Sequence, residues 1–88
     1  DRGLLVTVCD GDALGKTFED GDISLEVTED FYGGRTVDGD AVVESLERAT
    51  IANLVGVECV ELAIEAGYVD EDNVLEVGAT RHAQLLRL

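Results

Sequence analysis

The chain contains no tryptophan and no methionine, and only two phenylalanines and two tyrosines. Stacking on unpaired bases needs aromatic rings, so a general binder of single-stranded nucleic acid is disfavoured and the core must be aliphatic. Lysine occurs once, as Lys16, and the formal net charge is −14. Such a surface repels nucleic-acid phosphates and anionic membranes, which bind through clustered Lys and Arg. A basic partner, or none, suits it better. The only cysteines, Cys9 and Cys59, are too far apart in sequence for a zinc knuckle or a Cys-x-x-Cys redox pair, and they read as two buried thiols. No run of 18 apolar residues and no signal peptide is present, the pattern of a cytoplasmic protein. The first residue is not Met, from which a missing N-terminal piece is expected.

What remains is a chain of 88 residues with 45% hydrophobic content, enough for one domain over residues 1–88 with a modest core. Ten Asp and ten Glu beside a single Lys resemble a protein adapted to a salt-rich, halophilic cytosol. Molar salt shrinks the Debye length to about 3 Å and damps carboxylate repulsion across the molecule. The melting temperature is therefore expected to rise between dilute buffer and molar potassium chloride, as thermal unfolding followed by circular dichroism would record. A flat or falling trend would contradict that expectation.

Hydrophobic periodicity outlines the elements. LLVTVC over residues 4–9 is apolar on both faces, the mark of a central strand. Asp10-Gly11-Asp12 turns the chain, Asp20-Gly21 turns it again, and Ile23, Leu25 and Val27 alternate with polar neighbours as in a half-buried strand. Asp38 or Asp40 caps a helix running to about Ala49, with Val42, Leu46 and Ala49 on one side. Thr50 is expected to cap a short turn ending near Gly56, followed by a helix over residues 57–66 that Gly67 stops. Residues 68–73 read as a loop, and 74–77 and 83–88 as two further strands. The fold class expected is α+β, a small mostly antiparallel sheet with two helices packed on one face.

No catalytic, metal or cofactor motif is present. Gly33-Gly34 matches neither the P-loop pattern G-x-x-x-x-G-K-S/T nor a dinucleotide fingerprint. Asp70-Glu71-Asp72-Asn73 has Leu75 and Arg81 where a calcium loop needs glycine and glutamate, which leaves a solvated acidic loop. Cys9, Cys59 and His82 are ligand types for zinc but have no spacing to recommend them.

The charge distribution is more informative. All 20 acidic residues fall in residues 1–30, 38–47 or 58–76, so 31–37, 48–57 and 77–88 carry none. The acid-free stretches hold Arg35, Arg48, Arg81, Arg87 and the only histidine, His82. Within them, Phe31-Tyr32-Gly33-Gly34-Arg35 could cradle an anion, dock a peptide or simply turn the chain. Asn53 is the one polar group in an apolar string; buried, it must tie down its loop or offer its amide to a ligand. Arg81, His82 and Gln84 close the chain with donors and acceptors of every kind. The expected binding surface is therefore Phe31, Tyr32, Gly33, Gly34, Arg35, Asn53, Arg81, His82 and Gln84, on a non-catalytic interaction module. The alternative is a small anion-binding protein or enzyme in which Arg35 and Arg81 clamp a carboxylate or phosphate while His82 exchanges protons. A homodimer through the neutral surface is a third option.

FYGG at 31–34, ATIANLVG at 49–56 and RHAQ at 81–84, with LGKTF at 14–18, carry a resemblance. With these motifs in register, the chain resembles a family of small archaeal proteins catalogued as domain of unknown function 424. The resemblance implies an archaeal, cytosolic protein with a short additional strand upstream of Asp1. It implies no activity, cofactor or catalytic residue. The character of other small archaeal proteins suggests a translation-related or ribonucleoprotein partner.

Overall fold

The computed structural model describes residues 3–87. Six strands run in chain order as β1 (Leu5–Cys9), β2 (Thr17–Asp20), β3 (Ile23–Glu26), β4 (Ile51–Val55), β5 (Leu75–Val77) and β6 (Thr80–Leu86). Three helices lie between them, α1 (Glu29–Tyr32), α2 (Gly39–Arg48) and α3 (Val57–Glu65), with a 3-10 turn over Glu71–Asn73. The main sheet has the order β1-β4-β6-β5, parallel between β1 and β4 and antiparallel elsewhere; β2 and β3 form a separate hairpin. This is the α+β arrangement that the periodicity predicts.

Each substantial helix has a local cause. Asp38 accepts a 3.0 Å hydrogen bond from the Ala41 amide and starts α2, whose Val42 and Leu46 are buried. Gly56 precedes α3 without a side chain to cap it, and Asp10 at the end of β1 takes over the role. Its two carboxylate oxygens accept from the Glu58 and Cys59 amides, each at 2.9 Å. One aspartate thus joins the exit of β1 to the start of α3. Gly67, at φ 84, ends α3 in the left-handed conformation expected of it.

Both helices pack on one face of the sheet. Val42, Leu46, Cys59, Val60 and Ala63 from the helices meet Ala52 and Leu54 of β4 and Ala83 of β6. Strand alternation sends the intervening residues to the opposite face. At one end of that face a second buried group, Ala13, Val27, Val55, Val77 and Thr80, lies by the β2–β3 hairpin. Among the described residues the rest of the face is open except beside β1, where α1 lies against Thr7.

Three local expectations are corrected. Residues 51–55 are an inner strand, where a short turn was expected, because Ala52 and Leu54 face the helices while Ile51 and Asn53 face away. Thr50 is no cap: its Oγ1 accepts from the Leu4 amide at 3.0 Å and fastens β1 to β4. β1 lies at the sheet's edge, not its centre; Val6 and Val8 pack on the core, and Thr7 on the other side donates to the Phe31 carbonyl at 2.8 Å, so α1 accounts for the two-sided pattern. Strand β2 and helix α1 have no counterpart in the expected elements.

Candidate functional site

The open sheet face is built in rows across three strands. Leu5, Ile51 and Leu86 stand side by side in register, exposed by 56%, 41% and 62%. The next row is polar, Thr7, Asn53 and Gln84, and Gln84 Nε2 donates to Asn53 Oδ1 at 2.9 Å. The pair leaves the Asn53 amide nitrogen and the Gln84 carbonyl oxygen free for a partner. Beyond it come His82 and the exposed Leu75, again paired in register. His82 Nδ1 lies 3.0 Å from the Leu54 carbonyl, an acceptor only, so Nδ1 carries the hydrogen and Nε2 is the group left to act. None of these residues is acidic, although 20 of 88 residues in the chain are.

The sequence-predicted residues divide. Asn53, His82 and Gln84 share the open face, and Phe31, 47% exposed, adjoins it through the Thr7 hydrogen bond to its carbonyl. Tyr32 packs edge-on against Phe31, ring centroids 5.0 Å apart. Gly33 adopts an ordinary φ of −69; glycine fits there because a Cβ would overlap the Glu29 carbonyl, to which its amide donates at 2.8 Å. Gly34 and Arg35 lie in the exposed connection from α1 to α2, beside a cavity of about 750 Å³. Arg81 alternates to the helix-bearing face, where its guanidinium meets Glu71 Oε2 at 2.9 Å. Arg81 and His82, adjacent in sequence, therefore project from opposite sides of β6, and the structure does not gather Arg35, Arg81 and His82 into one clamp. The apolar row of Leu5, Ile51 and Leu86 was missed, since only the strand register reveals it.

The cavity lies along the outer edge of β1 and takes in Cys9, Cys59, Tyr32 and Asp10. Burial, helped by the Asp10 charge, pushes both thiols above the usual range, Cys59 the further. Tyr32 is raised too, chiefly by burial and then by the neighbouring cysteines. Neutral thiols are poor nucleophiles and poor metal ligands. Among the described residues no three His, Cys, Asp or Glu side chains are grouped to hold a metal ion.

The family model described as "Protein of unknown function (DUF424)" matches residues 1–88. The chain belongs to that family. A solved structure similar to this DUF424 chain is the crystal structure of an uncharacterized conserved protein from Methanopyrus kandleri, 25% identical, with a TM-score of 0.72. The likeness covers 100% of this chain and 89% of that one. No curated protein matches the DUF424 chain. No helix among the described residues is long and apolar enough to cross a membrane.

Proposed function

We propose that this DUF424 protein is a non-catalytic interaction module of a salt-rich archaeal cytosol, and that its open sheet face docks a partner protein. The supporting observation is the exposed apolar row Leu5–Ile51–Leu86 on an acid-free face of a strongly acidic chain. Contiguous exposed apolar side chains with polar neighbours are the usual composition of a protein contact. The surroundings specify the partner's chemistry. Glu29 and Asp30 open the helix that carries Phe31, so the complementary surface has apolar side chains at its centre and Lys or Arg at its rim. A second copy of the chain is the poorer fit, because its rim carries the same Glu29 and Asp30 rather than a cation to meet them.

The test compares Leu86→Asp with the unchanged protein in affinity capture from an archaeal lysate at native ionic strength, with and without ribonuclease. Leu86 is 62% exposed, so the substitution leaves the melting temperature within a few degrees. Recovery of the partner falls by about tenfold or more, as for a charge placed in the centre of a contact. Support requires that the captured protein have a basic rim and that ribonuclease leave it bound. Capture indifferent to Leu86→Asp, loss with ribonuclease, or a homodimer in sedimentation that Leu86→Asp dissolves would each overturn the reading.

A further inference from the structure

The free edge of β1 is a second surface, independent of the open face. In a parallel ladder one residue in two turns both its N–H and its C=O toward the neighbouring strand. Leu4 accepts from the Thr50 and Ile51 amides and the Asp10 amide donates to Val55, so the even-numbered residues of this segment face β4. Leu5, Thr7 and Cys9 consequently aim three N–H and three C=O groups away from the sheet. No strand pairs with that edge among the described residues.

The edge does not face bulk solvent alone. The connection from α1 to α2 crosses from one side of the sheet to the other beside β1, and leaves between them the 750 Å³ cavity, whose walls include Val6, Val8, Val37, Val42 and Leu62. Val6 and Val8 remain only half-buried, so their outer sides belong to this groove. Four carboxylates line it, those of Asp10, Asp12, Asp38 and Glu58, against one cation, Arg35. Asp10 and Asp38 already cap helices, whereas Asp12 and Glu58 have no ion-pair partner among the described residues.

Donor and acceptor groups that recur every two residues, about 6.6 Å along a strand, are matched by another extended backbone and by little else. We propose that the edge of β1 binds an extended peptide of a partner protein as a fifth strand. The peptide has apolar side chains at alternate positions toward the groove and a lysine or arginine beside Asp12 and Glu58. The backbone ladder supplies affinity, the valine-lined wall selects alternate side chains, and the paired carboxylates fix which end lies where.

The probe is a fluorescein-labelled hexapeptide that alternates valine with threonine and ends in lysine, titrated by fluorescence anisotropy. Amide exchange of the protein is followed in parallel by nuclear magnetic resonance. Bound peptide slows exchange at Leu5, Thr7 and Cys9 by about tenfold or more and leaves Val6 and Val8, already bonded to β4, unchanged. Methylating the peptide nitrogens at one alternate set weakens binding by about tenfold or more, while methylating the other set does not, because only one set faces the ladder. This control leaves the protein untouched, so misfolding cannot imitate it. The proposal is overturned if the Leu5, Thr7 and Cys9 amides are already protected in the protein alone, if both methylated peptides bind equally, or if millimolar peptide does not bind. None of those results bears on the open face.

Discussion

Replacing Gly56 by alanine is expected to lower stability by about 2–4 kcal/mol. Gly56 has φ 136 and ψ 150, a region essentially closed to residues with a side chain. A Cβ there would also overlap the Asp10 carboxylate. Asp10 cannot retreat freely, since both its oxygens are committed to the Glu58 and Cys59 amides at the start of α3. Strain at the turn costs about 1–3 kcal/mol, and loss of a cap adds about 1. For a chain of this size each kcal/mol lowers the melting temperature by about 4–8 °C, so a fall of about 8 °C or more is expected. Gly11→Ala is the control: nothing lies within 4 Å of its Cβ position and its φ is not positive, so it changes stability by at most about 0.5 kcal/mol. A Gly56→Ala protein melting within a few degrees of the parent would show that the strand-to-helix turn relaxes where this account holds it fixed.

Leu54→Ala is the second large effect, about 3 kcal/mol within a range of 2–5 for buried leucines. Leu54 is fully buried on an inner strand, between both helices and β6. Its removal leaves a cavity that a sheet bonded on both sides of β4 cannot close. Ile51, three residues earlier on the same strand, is 41% exposed, and Ile51→Ala should cost less than about 1 kcal/mol. Urea unfolding of the two variants measures the contrast directly. Equal losses would mean that Ile51 is covered in solution, and that the open face is not open.

The contrast explains why β4 was hard to read. Residues 50–56 are an uncharged string with no polar alternation, because one side enters the core and the other forms an apolar surface. Sequence periodicity cannot distinguish such a strand from a buried turn. Helix α2 was legible because cap and stripe agree: Asp38 at its start and Val42 and Leu46 one turn apart. β1 was misplaced because α1, four residues long and without a buried side chain, leaves no periodic trace. In the site, Asn53 and Gln84 were recognisable as polar groups out of place, but their pairing depends on a register set 31 residues apart in the chain. The separation of Arg81 from His82 was within reach of the sequence, since neighbours on a strand point to opposite sides.

The parallel pairing of β1 with β4 also governs the order of assembly. Leu4 and Thr50, which fasten those strands, are 46 residues apart, whereas β4, α3, β5 and β6 follow one another closely and can meet without a long closure. During vectorial synthesis β1 leaves the ribosome before β4, its partner in the main sheet among the described residues. Loop closure thus favours a nucleus in β4, α3, β5 and β6, with β1 expected to lock into the main sheet after them.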